Sequence, residues 1–495
     1  MFFFGLTFGK FNHTIWCAMK ENTKSRRHFL KQAGAAGAGL LILPRHVLGG
    51  KGFIAPSDKL NVAAIGAGGK ASYNIGQTFA SKMANITALC DVDDRQSAAT
   101  RKLHPQAAYY KDYRVMLDKQ KDIDAVLIST PDHMHAVQAL PCMQLGKHVY
   151  VEKPLTHDIY EARVLTEAEK RYRVVTQMGN QGSSGDDTRR VEAWVQAGLI
   201  GQVHTVHVWT NRPVWPQGTP APQGKFDIPA ELDWDLWLGT APWREFNPLY
   251  VPANWRGWVD FGTGSLGDMG CHFMDVPYRA LKLGYPVSVE CSVTSVYTGF
   301  FQELISSDSY PPSCKIHIQF PKRHNLVPVE MIWYDGGIKP KRPAELLPGE
   351  ALGEWDGGIL FEGTKGKIMA GLWGRNPALL PSRRMKEVKL PAPSRALVAG
   401  GAEGHQAQWV LACKKGYGAY TSSPFSEAGP LTETVLMGNL AVLSYNHIEK
   451  DSKGNNTFPG RKLLLWDGKN TKITNFDAAN HYVKRTYREG WQLSL

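Results

Sequence analysis

Two hydrophobic patterns divide the chain. In the first, short runs that are mostly apolar recur at Lys59–Ile65, Asn85–Cys90, Asp124–Thr130 and His148–Val151, and each reads as a strand. Longer segments of helical character separate them: Ser72–Ser81, then Ala136–Leu145, which Gly146 stops. Strands alternating with helices predict βαβ units and a parallel sheet covered on both faces. The second pattern begins after Gly179. Val203–Trp209 and Lys315–Phe320 alternate apolar and polar residues, as antiparallel strands with one covered face do. Residues 337–357 are rich in Pro, Gly and Lys and read as a surface insertion, and no internal repeat is present. The polar and aromatic end, Asp467–Leu495, is expected to wrap on the body or to help form a dimer.

Composition adds little to this picture, but charge placement adds more. The 495 residues suffice for two or three domains, and 43% hydrophobic with 21% charged residues is ordinary for a globular protein. The net charge of +12 is concentrated at the start, where residues 1–58 carry eight Lys/Arg against two acids. The mild remainder argues against a nucleic-acid partner. The basic segment is Thr23–Pro44, in which Ser25, Arg26, Arg27, Phe29, Leu30 and Lys31 match the S-R-R-x-F-L-K pattern before a Gly/Ala-rich apolar run. This predicts a twin-arginine export signal and linker over 1–57, a partner in the twin-arginine export machinery, and a periplasmic location. Met19 is a natural start for such a signal, so 1–18 reads as a mis-assigned extension, and cleavage is expected between Leu48 and Ser57. No later stretch has eighteen consecutive apolar residues, so no internal membrane span is expected. The seven Cys show no zinc-like spacing, Cys90 and Cys142 read as buried thiols, and no metal site is expected.

The first strand runs directly into Gly66-Ala-Gly68-Gly69-Lys70-Ala71. In this G-x-G-x-x-A pattern Gly66 permits a tight turn, Gly68 lets backbone approach a pyrophosphate, and Ala71 lets helix and strand pack closely. The helix that follows points its N-terminus at the phosphates. Asp91 ends the second strand twenty residues beyond Ala71, where an acid binds the adenosine ribose hydroxyls. A carboxylate there repels a 2′-phosphate and favours NAD over NADP, although Lys70 and Arg95 keep NADP open. Thr130–His135 and Glu152–Pro154 follow later strands, at the edge where open α/β sheets bind ligands.

With Ser129–His135 (S-T-P-D-H-M-H), Val151–Pro154 (V-E-K-P) and Gly267–Asp275 (G-D-M-G-C-H-F-M-D), the chain from about Lys59 onward resembles the glucose–fructose oxidoreductase, inositol dehydrogenase and MocA superfamily, here as an exported member. The resemblance implies an α/β fold: a Rossmann doubly wound parallel sheet over 58–178, then an α/β substrate and oligomerisation domain over 179–495 on a large, mostly antiparallel open sheet. It implies a carbohydrate substrate and a homo-oligomer, while export to a compartment without a free nicotinamide pool calls for NAD held as a tightly bound group. Lys153 is then placed to bond the substrate oxygen, His272 accepts the proton, and Asp268, one helical turn earlier, positions substrate or imidazole. Gly66, Gly68, Gly69, Lys70, Ala71, Asp91, Thr130, Pro131, His133, Glu152 and Lys153 are the expected cofactor-binding residues. For the substrate, Asn180 and Gln181 open the second domain, and Arg212, Trp215 and Trp255 stand out from a cluster that also holds Trp209, Trp243, Arg256 and Trp258. His405 reads as a packed histidine. The leading expectation is oxidation of a sugar or glycoside ring hydroxyl, with C3 the candidate carbon. The alternatives are a redox-neutral NAD-dependent glycosidase, which oxidises, eliminates, adds water and reduces, and a non-catalytic sugar-binding protein.

Overall fold

Six parallel strands form the first sheet: β1 (Leu60–Ile65), β2 (Ala84–Cys90), β3 (Ala108–Tyr110), β4 (Ala125–Ile128), β5 (His148–Glu152) and β6 (Thr176–Gly179). Their order is β3-β2-β1-β4-β5-β6, the doubly wound arrangement that the sequence pattern predicts. The structure, a computed structural model, describes residue 55, residues 58–393 and residues 395–495. The twin-arginine segment lies outside the described residues.

β1, β4 and β5 are buried along nearly their whole length because helices cover both faces of the sheet. These helices are α1 (Lys70–Ala80), α2 (Asp94–Leu103), α3 (Tyr113–Lys119), α4 (His135–Gln144) and α5 (Ile159–Tyr172). Their starts are encoded locally: Asp93 caps α2, Asp112 caps α3, and Asp158 with Glu161 forms a reciprocal capping box on α5.

The second sheet contains nine strands. In chain order they are β7 (Val203–Thr210) and β8 (Ser288–Val293), then, past the hairpin β9 (Val296–Gly299) and β10 (Gln302–Leu304), β11 (Cys314–Phe320), β12 (Val329–Tyr334), β13 (Gly357–Gly363), β14 (Gly366–Ala370) and β15 (Ala378–Leu380). Beyond the hairpin β16 (Glu449–Lys450) and β17 (Asn456–Thr457), β18 (Leu464–Asp467) and β19 (Lys472–Ile473) complete it. The order is β15-β14-β13-β7-β12-β11-β8-β18-β19. The sheet is mostly antiparallel, but β7 runs parallel to β12 and antiparallel to β13. Residue alternation reports a face that is covered, not the direction of the neighbouring strand, so the sequence of β7 did not reveal this pairing. β11 keeps its alternation, with Ile316, Ile318 and Phe320 buried and Lys315, His317 and Gln319 half-buried.

The covered face packs on α7 (Gly264–Ala280) and the apolar α9 (Phe425–Tyr445); α6 (Asp186–Gln196) lies against α7, and α9 also lies against α5 of the first domain. A further helix, α8 (His405–Lys415), returns to the first sheet, where Trp409, Val410, Ala412 and Cys413 join the core formed by β1, β2 and α1. The six cysteines among the described residues are unpaired thiols, and Cys90 and Cys142 are buried.

Candidate active site

Four motifs converge where β1, β2, β4 and β5 end. Gly66 follows β1 with φ +83°, and a Cβ there would stand 2.7 Å from the Ser129 carbonyl oxygen. A Cβ on Gly68 would stand 2.7 Å from both the Gln96 Cβ and its carbonyl oxygen. Gly69 takes φ +50° with open space around it, a backbone conformation that glycine adopts without steric cost. Ala71 does not reach the cavity; it packs beneath the turn, its amide donating to the Gly68 carbonyl at 2.9 Å. Asp91 closes the loop from β2: one carboxylate oxygen accepts from the Ala67 amide at 2.8 Å, the other from the Asp93 amide at 2.9 Å. Burial raises the Asp91 pKa, and the two amides oppose that rise.

A cavity of about 610 Å³ runs from Asp91 past Gly66, Gly68, Gly69 and Lys70 to Lys153 and His272. Its size and its glycine cradle fit a dinucleotide. Thr130 and Pro131 line it, the Thr130 hydroxyl donating to Gln138 at 2.7 Å. Glu152 also lines it and accepts from the Asn74 amide at 2.7 Å and the Gln181 amide at 3.3 Å. Gly179 makes room for this carboxylate, since a Cβ there would stand 2.6 Å from it.

The reacting end joins the two domains. Lys153 donates from Nζ to the Asp268 carboxylate at 2.7 Å and to the Asp268 carbonyl at 2.5 Å. Arg256 stands 3.6 Å from the same carboxylate. Burial works against ionisation of Asp268, but Lys153 and Arg256 outweigh it and hold the carboxyl at about 2. His272 lies one turn further along α7. Burial, reinforced by the positive Lys153, keeps its pKa well below the usual histidine value, so the imidazole is neutral. The Asn180 amide donates to the Cys271 carbonyl at 3.0 Å, which turns Asn180 Oδ1 toward His272 Nδ1 at 2.9 Å. That partner favours the proton on Nδ1, with Nε2 as an acceptor. The Trp373 indole N–H stands 3.0 Å from the same Nδ1 and favours the opposite tautomer. Asp132 in turn holds Thr263, just before α7, at 2.5 Å, tying the helix to the loop after β4.

Besides Ala71, the structure corrects three residue expectations. His133 is fully buried and faces away from the cavity, its ring nitrogens at 3.2 and 3.1 Å from the Phe261 and Trp237 carbonyls. Asp132, His133 and Met134 form a 3₁₀ turn, where successive side chains diverge by about 120°, so the neighbours face the cavity and His133 does not. Burial pushes its pKa to about 3. Asn180 is buried behind His272 and orients it instead of facing the cavity. Trp215 stands behind the wall, its indole donating to Gln217 at 2.9 Å. Gln181, Arg212 and Trp255 line the cavity as expected. His405 is packed, bonding Ser184 and the Met178 carbonyl. The sequence had marked Arg256 only as one of an aromatic and arginine cluster, and here it stacks over Trp255 at 4.3 Å. Trp373, in a left-handed turn with φ +59°, carried no sequence signal. Among the described residues no group of three or more His, Cys, Asp or Glu is placed to hold a metal ion.

Residues 60–180 match the family described as oxidoreductase family, NAD-binding Rossmann fold, and residues 187–298 match its C-terminal alpha/beta domain. A glycosyl hydrolase family 109 protein of Shewanella pealeana and an alpha-N-acetylgalactosaminidase of Shewanella oneidensis are each 31% identical over 202 residues, 36% of this chain. The match spans 44% of the length of those relatives. A solved levoglucosan dehydrogenase, in complex with NADH and L-sorbose, shares the fold at TM-score 0.51 and 16% identity, over 77% of this chain and 95% of its own. A WlbA dehydrogenase from Chromobacterium violaceum, in complex with NADH and UDP-GlcNAcA, does so at TM-score 0.52 and 17% identity, over 77% and 93%.

Proposed function

We propose that this chain, whose residues 60–180 match the NAD-binding Rossmann domain and residues 187–298 the C-terminal domain of the Gfo/Idh/MocA oxidoreductases, is an enzyme that oxidises a ring hydroxyl of a sugar or glycoside, with C3 the candidate carbon. The observation that carries this reading is the meeting of Lys153, Asp268 and His272 at one end of a dinucleotide-shaped cavity. NAD, when bound, supplies the hydride acceptor. Lys153 donates a hydrogen bond to the hydroxyl oxygen and stabilises negative charge as it develops there. Asp268 and the loop after β5 fix the ammonium. His272, neutral and held by Asn180, accepts the hydroxyl proton on Nε2. Arg256, stacked over Trp255 in the cavity wall, gives the sugar a cation.

The S-R-R-x-F-L-K pattern at Ser25–Lys31 supports export to a periplasm. A compartment without a free nicotinamide pool calls for a retained dinucleotide. The test is anaerobic incubation of the protein with a panel of glycosides while NADH absorbance is followed. A signal that depends on Lys153 and His272 is expected; no signal from any glycoside in NAD-loaded protein would sink the reading.

A second reading, a redox-neutral glycosidase, is supported by the relatives named for glycoside hydrolysis. Here oxidation acidifies the neighbouring C–H, the aglycone is eliminated, water adds and the ketone is reduced back. Aglycone release without net NADH selects it.

A further inference from the structure

Beyond Asp91 the cavity has a second end, and part of its wall comes from the last residues of the chain. Val92, Asp112 and Tyr113 of the first domain line it together with Trp491. Trp491 is delivered by an anchored strap. Arg485 reaches down to the buried Glu161 at 2.8 Å and to the His133 carbonyl at 2.6 Å. Arg488 bonds Asp235 at 2.5 Å and the Gly239 carbonyl at 3.0 Å. The Arg488 carbonyl accepts from the Trp491 amide at 3.1 Å, and Gly490 between them takes φ +86°. This is the pattern of a type II turn, in which glycine supplies the positive φ. Past the turn, Gln144 holds the Ser494 carbonyl at 2.8 Å. The indole packs over the Arg114 guanidinium at 4.8 Å, and Asp112 pins that guanidinium at 2.7 Å.

The position of Asp91 sets the polarity of the cavity. An acid at the end of the second strand takes the adenosine ribose. The base therefore lies on the side of Asp91 away from Lys153, where Tyr113 and Trp491 stand. We propose that residues 485–494 form the outer wall of an adenine subsite, with Trp491 the ring against which the purine stacks, and that this strap retains the dinucleotide. The proposal rests on the dinucleotide reading of the cavity and is independent of the sugar chemistry.

Calorimetric titration of the full chain, first freed of bound dinucleotide, with AMP and with nicotinamide mononucleotide tests it. Trp491→Ala is expected to weaken AMP about tenfold, the scale of one lost aromatic contact, and to leave the mononucleotide unchanged. Trp491→Phe stays within about threefold of the native protein. Unchanged AMP affinity in Trp491→Ala overturns the proposal, and so does an equal loss for both probes. Hydrogen exchange on the native chain gives a readout that needs no variant: AMP slows exchange over 485–494 and the mononucleotide does not. Exchange there that ignores AMP also overturns it. A negative glycoside screen with the AMP effect present sinks the oxidoreductase reading and leaves the subsite standing.

Discussion

Replacing Asp268 with Asn removes one charge from the centre of the reacting end and tests the electrostatic account directly. The Lys153 and Asp268 side chains are 14% and 15% exposed, so their 2.7 Å pair is shielded from water. The fall of the Asp268 pKa from the ordinary 3.8 to about 2 is roughly 2.5 kcal/mol of preference for the ionised form. Because the folded value is depressed, this stability is present above about pH 4 and is lost as pH falls through 2. The amide, like the protonated acid, leaves Lys153 in the cavity with no carboxylate at 2.7 Å. Breaking a buried pair in that way costs about 3–5 kcal/mol, so 2–4 kcal/mol is expected here. Denaturant unfolding at pH 7 measures the loss, and a pH series shows whether the native fall in stability between 4 and 2 shrinks in Asp268→Asn. Turnover should drop about 10²-fold or more, because Lys153 is no longer held and His272 loses its nearby negative charge. A variant within 0.5 kcal/mol (roughly the scale of an exposed pair) and within twofold in turnover would refute the reasoning.

Three further perturbations follow from the geometry. Gly68→Ala places a methyl 2.7 Å from Gln96; NAD binding should fall by at least about tenfold in a fluorescence titration. Asp91→Ser removes the carboxylate that repels a 2′-phosphate, and the ratio of NAD to NADP dissociation constants should shift toward NADP by about tenfold or more. Trp373→Phe removes the N–H that stabilises an unprotonated Nδ1 on His272; the acidic limb of the kcat/KM profile should move to higher pH, by an amount worth about 1 kcal/mol, and an unmoved limb would show that Asn180 alone sets the tautomer.

The legible part of the site is the part written locally. Gly66, Gly68 and Asp91 fall within one strand–helix–strand unit, where chain spacing fixes spatial spacing, and Lys153 directly follows a strand whose end faces the ligand edge. Asp268 and His272 share a helix face for the same reason. His133 points elsewhere because each step along a 3₁₀ turn swings the side chain by about 120°, and hydropathy does not report that. Asn180 was placed at the site but assigned to the wrong neighbour, since its contact with His272 depends on how α7 docks. Trp373 and Trp491 reach the cavity from segments about 100 and 220 residues beyond His272 in the chain, and only the packed fold brings them there. The parallel pairing of β7 with β12 was hidden likewise, because the two strands are joined through 118 intervening residues that include α7.

α8 makes the order of synthesis matter. The six strands of the first sheet are complete by Gly179, yet the core between β1, β2 and α1 stays open until Trp409 and Val410 arrive. The ribosome thus finishes this domain's backbone more than two hundred residues before it supplies the last pieces of its interior. A nascent or truncated chain ending before α8 would carry the whole glycine loop on an unfinished core, so the unit that can first hold a ligand is nearly the whole polypeptide.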